Sequence, residues 1–183
     1  MSYRMRLYLN RMHRLDSNLC VAVNHTSQYR LIRDCFRIVS RLGNGMFWYG
    51  LTIAILIVKG AEGFASVLHL ILVALVGALL NKWLKGKTLR PRPYQVHNDI
   101  CLTGTPMDKF SFPSGHTLHA VMFSVVALSY YPQLAFIVVP FTVMVALSRV
   151  VLGLHYPSDV LAGALIGGLI AELSFFIIQF LLH

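Results

Sequence analysis

Apolar segments separated by short polar breaks are the feature that most constrains the fold of this chain. About 20 apolar residues are needed for an α-helix to cross the hydrocarbon core of a bilayer. Five candidate spans run over 46–58, 64–84, 115–131, 133–152 and 158–182. The first is short, and Pro140 predicts a kink in the fourth. Gly163, Gly167 and Gly168 give the fifth a small-residue face for close helix packing.

The composition agrees with a membrane protein of one domain. Hydrophobic residues make up 56% of the 183 residues and charged residues only 13%, whereas soluble domains carry roughly 25% charged residues. A net charge of +9 is also typical of nucleic-acid-binding proteins. The apolar bulk instead favours anionic lipid headgroups or phosphate, with no nucleic-acid partner. We therefore expect an all-α, polytopic membrane helix bundle of about five spans.

Residues 1–43 differ from the rest and are predicted to form a basic amphipathic interfacial region before a membrane-embedded domain over 44–183. Apolar side chains recur at helical spacing at Leu31, Ile32, Cys35, Phe36 and Val39, with Arg30, Arg33, Arg37 and Arg41 around the other side. This pattern predicts a short helix lying in the headgroup region, and a solvated charged face is the alternative. Residues 24–28 are predicted to connect two such helices.

Three polar stretches lie at the ends of the predicted spans, on one side of the bundle. They are Lys85-Gly-Lys-Thr-Leu-Arg-Pro-Arg-Pro93, Phe112-Pro-Ser-Gly-His116, and Ser148 to Asp159, which contains Arg149 and His155. Charged groups next to lipid are costly, so their presence points to function. Because each stretch ends an apolar helix, all three can face one pocket at the membrane surface.

The residue types in these stretches suit phosphoryl transfer, in which catalysis is mostly positioning and charge stabilisation. Lys85, Arg92 and Arg149 supply positive charge, the arginines as bidentate groups. Ser114 and Gly115 stand where a helix begins, with the serine as candidate N-cap, and free N–H groups there favour an anion. These five residues are the predicted phosphate-binding set.

Two histidines complete the predicted site. One can attack phosphorus as a neutral imidazole while the other donates a proton to the leaving oxygen. Asp159 follows His155 by four residues and can fix its tautomer, which makes His155 the nucleophile and leaves His116 as the general acid. Nothing in this arrangement requires a metal or another cofactor.

The pattern Lys-x6-Arg-Pro, Pro-Ser-Gly-His and Ser-Arg-x5-His-x3-Asp resembles the type 2 phosphatidic acid phosphatase family, which also contains vanadium haloperoxidases. The resemblance implies that His155 forms a phosphohistidine supported by Asp159, and that His116 protonates the leaving group and then activates water. It further implies that Lys85, Arg92, Ser114, Gly115 and Arg149 bind the phosphate. The small size resembles bacterial undecaprenyl diphosphate phosphatases, with phosphatidic acid and phosphatidylglycerophosphate as alternative substrates.

Other polar residues have simpler interpretations. Lys87 and Arg90 are interpreted as flanking charges at a helix end, and His119 as a helix-face residue near the pocket. Glu172 in the fifth span is expected to form a hydrogen bond to a neighbouring helix near His69.

The sequence is compatible with two other functions, and two arguments disagree on which side of the membrane the pocket faces. Vanadate-dependent halide oxidation would use the same pocket, and a lipid-binding or lipid-transporting protein would need only the cations. On orientation, all basic residues except Lys59 fall on the side of the pocket, which by the positive-inside rule is cytoplasmic. The family resemblance instead favours the outer face of a bacterial cytoplasmic membrane. The sequence does not determine the oligomeric state.

Overall fold

The computed structural model describes residues 3–182, and side chains within 11–181. Eight α-helices follow one another: α1 Tyr3–Asn24, α2 Arg30–Arg41, α3 Phe47–Lys59, α4 Phe64–Thr88, α5 Pro93–Val96, α6 Gly115–Tyr130, α7 Ala135–Val151 and α8 Pro157–Leu182. Short 3₁₀ turns join several of them, and the described part of the chain contains no strand. The all-α prediction is confirmed.

The predicted apolar segments correspond to α3, α4, α6, α7 and α8. By length and composition, three stretches of the described chain can cross a membrane: Arg30–Val96, which contains α2 to α5, Pro132–Val151 and Pro157–Leu181. With 16 residues, α6 is about 24 Å long. It is therefore shorter than the roughly 30 Å of a bilayer's hydrocarbon core. A multi-pass membrane fold is therefore present, and the count of five spans stays a prediction.

Helix α6 lies at the centre of the bundle and contacts α4, α7 and α8. Its inward side chains Leu118, Met122 and Val126 are fully buried and pack against Leu70 and Val73 of α4. The outer faces of the bundle carry exposed apolar side chains, as a helix facing lipid requires. Examples are Leu72, Leu79, Phe136, Ile137, Leu165 and Phe176.

Close packing of α6 on α8 depends on two of the three predicted glycines. A Cβ atom at Gly163 would lie 2.5 Å from the carbonyl oxygen of Ser114, and one at Gly167 would overlap the carbonyl of Leu118. A Cβ atom at Gly168 would meet only Val121, at 4.0 Å. Gly163 and Gly167 therefore form the small-residue face, and Gly168 lies beside it.

The predicted hydrogen bond between Glu172 and the region of His69 is wrong. His69 lies between two other side chains: its Nδ1 is 3.1 Å from the hydroxyl of Tyr130, and its Nε2 is 2.7 Å from the hydroxyl of Ser174. Glu172 is exposed on the outer face of α8. It misses His69 because it lies two residues from Ser174, and neighbours at that spacing point to different sides of a helix.

Helix α1 packs its inner face against the segment that links α7 to α8. Asp16, Cys20 and Asn24 recur every four residues and therefore lie on one side of the helix. The Asn24 amide donates to the carbonyl oxygens of Val151 at 2.9 Å and Cys101 at 3.0 Å, and its oxygen accepts from the N–H of Cys101 at 2.9 Å. One buried side chain thus joins α1 to the end of α7 and to the loop that contains Cys101.

We expect Gly167→Ala to destabilise the protein by about 1–3 kcal/mol, because the new Cβ atom meets backbone that cannot rotate away. Thermal unfolding in detergent measures the effect. Gly168→Ala is the matched control, since it makes the same change in helix propensity one residue away without the overlap. Equal unfolding temperatures for the two variants would contradict the assigned packing face.

Candidate active site

The three polar stretches come together at one end of the bundle, where they line a cavity of about 630 Å³. Lys85 is contributed by α4, Arg92 by the residue before α5, Gly115 and His116 by the start of α6, and Arg149 by the end of α7. His155 enters from the loop between α7 and α8. The structure therefore brings together six of the eight predicted residues at the cavity wall.

The remaining two predicted residues, Ser114 and Asp159, are fully buried behind the wall. Ser114 occupies the N-cap position of α6, but its hydroxyl lies 2.9 Å from that of Thr117 and makes no capping bond. Its N–H donates to the carbonyl oxygen of Asp159 at 3.0 Å. Ser114 thus joins the start of α6 to α8, and its side chain is not part of the cavity lining.

Two buried arginines give the cavity its charge. Arg92 and Arg149 are each 1% exposed. Arg149 donates to the hydroxyl of Ser40 at 2.6 Å, while its Nε has no hydrogen-bond partner among the residues described. Buried charge without a counter-ion is costly, so an anion in the cavity would stabilise this guanidinium. A phosphate group suits this role, because guanidinium groups bind its oxygens in pairs.

Asp108 forms ion pairs with two of the cavity cations, Lys85 and Arg92. The sequence did not mark this residue as part of the site. Its carboxylate accepts from Lys85 Nζ at 2.5 Å and from Arg92 Nη2 at 2.9 Å. Burial alone would raise the pKa of Asp108, but the hydrogen bonds and charges of Lys85 and Arg92 together lower it. The carboxylate is therefore ionised at neutral pH and competes for the cations that an anionic ligand would contact.

The orientation of His155 follows from its contact with Arg92. Nε2 of His155 lies 3.3 Å from Nη1 of Arg92, and a guanidinium offers only donors. Nε2 is therefore the acceptor nitrogen of the neutral ring and the proton is on Nδ1. Burial lowers the pKa of His155 to about 4, with Asp159 acting in the opposite direction and Arg149 and Arg92 adding to the decrease. The ring is neutral near pH 7, with its lone pair directed at the cations.

Asp159 lies next to the proton-bearing side of His155. Its Oδ2 is 3.7 Å from Nδ1, which is longer than a hydrogen bond, and Nδ1 has no other partner among the described residues. The same oxygen accepts from the N–H of Tyr156 at 2.9 Å and from the hydroxyl of Ser111. The carboxylate is thus fixed in place beside the ring, and a small approach would complete the predicted contact.

The interpretation of Arg90 as a simple flanking charge is wrong. Its guanidinium donates to Asp159 Oδ1 at 2.6 Å and to Asp16 Oδ2 at 2.7 Å, and its Cζ lies 4.1 Å from the centre of the Tyr156 ring. Asp16 belongs to α1, Asp159 to the first turn of α8, and Tyr156 to the residue just before α8. Sequence spacing does not reveal such contacts, because they depend on how distant helices pack. Lys87 is exposed, in agreement with its interpretation.

His116 and His119 both line the cavity. Nε2 of His116 forms a short hydrogen bond to Oδ1 of Asn44, which assigns the proton of a neutral ring to Nε2. Nδ1 of His119 lies 2.8 Å from the carbonyl oxygen of Gly115. His116 lies in the first turn of α6, at the cationic end of the cavity, and His119 lies one turn further along the helix.

The cavity continues from the cations toward the membrane interior. Along α4 its lining passes from Lys85 through Asn81 and Ala78 to Ile71, a distance of about 21 Å along the helix axis. Trp48 and Tyr49 of α3 face this inner part. The cavity is thus cationic at one end and largely apolar at the other. Within residues 3–182, no group of three or more His, Cys, Asp and Glu side chains is placed to hold a metal ion.

Comparison with known proteins places this geometry in context. Residues 66–181 match the model of the PAP2 superfamily. The undecaprenyl-diphosphatase of Sulfolobus acidocaldarius is 30% identical over 139 residues, which cover 74% of this chain and 66% of that protein. The chain therefore spans just under two thirds of the length of this curated relative.

Two solved structures resemble the whole bundle. A transmembrane PAP2-type phosphatidylglycerolphosphate phosphatase from Bacillus subtilis has a TM-score of 0.70 and 27% identity, covering 93% of this chain and 87% of that one. LpxE of Aquifex aeolicus has a TM-score of 0.74 and 29% identity, covering 86% and 93%. The helix order, the converging motifs and the family match agree, and the chain belongs to the PAP2 superfamily.

Proposed function

We propose that this protein is an integral membrane lipid phosphatase that removes a terminal phosphate through a phosphohistidine at His155. The observation that carries the proposal is the contact of His155 Nε2 with Arg92, 3.3 Å away. It directs a neutral, nucleophilic nitrogen at the position where the cations would hold phosphorus. The names of the relatives, an undecaprenyl-diphosphatase and a phosphatidylglycerolphosphate phosphatase, support the same class of reaction.

In the first step, Nε2 of His155 attacks phosphorus and the bond from phosphorus to the lipid oxygen breaks. Lys85, Arg92 and Arg149 stabilise the charge that spreads over the phosphoryl oxygens. His116 acts here in its imidazolium form: Nε2–H stays bonded to Asn44, and the proton on Nδ1 passes to the leaving lipid oxygen. Asp159, adjacent to Nδ1, stabilises the positive charge that develops on the ring, as the aspartate of a serine-protease triad does.

In the second step, water attacks the phosphohistidine and inorganic phosphate leaves. His116, now without its proton, takes one from the water, and the bond between phosphorus and Nε2 breaks. Gly115 and the N-terminus of α6 offer backbone N–H groups to the phosphoryl oxygens, and the buried Ser114 holds that terminus against α8. Each of the eight predicted residues thus has a proposed role in one or both steps.

The preferred substrate is undecaprenyl diphosphate or a related lipid phosphate. The cationic end of the cavity suits the phosphate, and its apolar continuation between α3 and α4 suits the first part of a lipid chain. Phosphatidic acid and phosphatidylglycerophosphate are the alternative substrates, since both offer a terminal phosphate on an apolar body. Measuring phosphate release from each lipid in matched micelles separates them.

We further propose that residues 1–43 lie partly in the headgroup region and that 44–183 form the phosphatase domain of a protein in the bacterial cytoplasmic membrane. Support for the first comes from α2, whose Leu31 and Ile38 are exposed beside its basic face. The outer face of the membrane is preferred for the active site, from the family resemblance.

We expect His155→Ala to reduce phosphate release by at least about 10³-fold, because the attacking nitrogen is lost. Purified wild-type and variant proteins are compared with a ³²P-labelled lipid phosphate. Only the wild type should also yield an acid-labile phosphoprotein after rapid quenching. His25→Ala, at an exposed histidine, is the control. Turnover that persists in His155→Ala would exclude the mechanism, and an unlabelled wild type that binds lipid would indicate a binding protein.

We expect Asp108→Asn to strengthen inhibition by inorganic phosphate about tenfold, which corresponds to about 1.4 kcal/mol. The reason is that a carboxylate sharing Lys85 and Arg92 with the ligand is removed. Inhibition constants are measured at constant ionic strength. Asp99→Asn makes the same change of charge at an exposed position of the same loop and should leave the constant unchanged. Weaker inhibition in Asp108→Asn would show that Asp108 orients the cations for phosphate.

Labelling of Cys101 tests the side of the membrane that the active site faces. Cys101 and Cys35 are exposed and Cys20 is buried, so Cys35→Ser leaves one reactive thiol in the loop over the cavity. A membrane-impermeant maleimide should label this variant in intact cells and not in inverted vesicles. The reverse pattern would place the active site in the cytoplasm.

A further inference from the structure

A chain of charged side chains leads from α1 to the nucleophile. Asp16 of α1 lies against the first turn of α8, where its Oδ1 accepts from the N–H of Ser158 at 2.9 Å and its Oδ2 accepts from the Ser158 hydroxyl at 2.5 Å. Its Oδ2 also accepts from Arg90 Nη2 at 2.7 Å. A carboxylate at this point satisfies a free N–H group of α8 and complements the helix dipole.

Arg90 connects this carboxylate with the one beside His155. Its Nη1 donates to Asp159 Oδ1 at 2.6 Å and to the Ser158 hydroxyl at 2.8 Å, while Nη2 donates to Asp16. The guanidinium also stacks on the Tyr156 ring at 4.1 Å. Tyr156, Ser158 and Asp159 lie within four residues of His155, and Asp16 reaches the guanidinium from the middle of α1. The planar guanidinium therefore sets the distance between Asp16 and Asp159.

With all three members present, two carboxylates and one guanidinium carry a net charge of −1, which balances the positive charge that develops on the His155 ring. Asp159 is fully buried, and the side chains of Arg90 and Asp16 are 19% and 11% exposed. Without Asp16, the single positive charge of Arg90 would act on Asp159 alone and weaken the attraction that Asp159 exerts on a positive His155 ring. Without Arg90, two carboxylates would face each other beside the nucleophile. The network thus affects charge on His155 without contacting the phosphate.

We propose that Asp16 and Arg90 are positioning residues for the reaction at His155, and that α1 is thereby part of the catalytic unit. Asp16 lies outside residues 66–181, which the family model matches. The proposal rests on the proposed function, since it assumes that His155 carries the phosphoryl group. It assigns to the N-terminal region a role in the chemistry in addition to its place at the membrane surface.

Kinetics of charge-neutral variants test the proposal. In Asp16→Asn, kcat should fall about tenfold, in keeping with the loss of one charge-assisted hydrogen bond, while KM and the inhibition constant of phosphate stay within about twofold. We expect kcat to change and KM to stay nearly constant because the network does not include the residues that hold phosphate, which are Lys85, Arg92 and Arg149. Asp34→Asn is the matched control: it removes an exposed carboxylate from α2 of the same N-terminal region and should leave all constants unchanged.

Variants of Arg90 separate positioning from folding. Arg90→Met should lose about 100-fold in kcat, and Arg90→Lys should recover part of it, because an ammonium keeps the charge but can bridge the two carboxylates less well. Adding Asp16→Asn to Arg90→Met should cause no further loss, since Asp16 acts through Arg90. Rates are normalised to folded protein by active-site titration with the labelled lipid.

These measurements distinguish failure of the positioning roles from failure of the phosphatase function. A full kcat in Asp16→Asn, additive losses in the double variant, or losses that disappear on normalisation would overturn the proposal and leave the phosphatase function intact. A wild-type protein without activity on any lipid phosphate would instead overturn the proposed function, and the positioning roles with it.

Discussion

The burial of two arginines at the end of a membrane bundle is the constraint on which the rest of the structure depends. Arg92 and Arg149 are almost inaccessible, and a buried guanidinium needs acceptors or an anion nearby. Arg92 obtains them from the carbonyl oxygen of Leu154 and from both the backbone and the carboxylate of Asp108. Arg149 has Ser40. The acceptors therefore come from three separate segments: the loop that carries Asp108, the segment of Leu154 between α7 and α8, and α2 with Ser40.

The sequence predicts this centre well because its motifs are local. Lysine, arginine and histidine at the ends of apolar helices are unusual enough to mark a site. His155 and Asp159 are only four residues apart, so their proximity can be predicted without knowledge of how the helices pack. Helices α3, α4, α6, α7 and α8 follow from apolar runs long enough to be recognised without packing information. The functional cavity is consequently foreseeable from residues that lie within a few positions of a helix end.

Partners that cross from one helix to another could not be predicted in the same way. Asp16, Ser40 and Asn44 meet Arg90, Arg149 and His116 only after α1 and α2 have packed against the bundle. In the sequence, Asp16 and Ser40 look like ordinary polar residues of amphipathic helices, and Asn44 looks like part of a turn between Gly43 and Gly45. Arg90 was misinterpreted for this reason, and Glu172 because one face of α8 cannot be told from another by apolar composition alone.

The double attachment made by Asn24 has a mechanical consequence. By holding both Cys101 and Val151, it fixes the near end of the loop over the cavity to the segment that carries His155. Ser111, bonded to the carbonyl oxygen of Arg90 and to Asp159, fixes the far end. Asp108 lies in the stretch of loop between these two attachments. A phosphate group that contacts Lys85 and Arg92 therefore has to take the place of the Asp108 carboxylate, which lies on these two cations between the attachments.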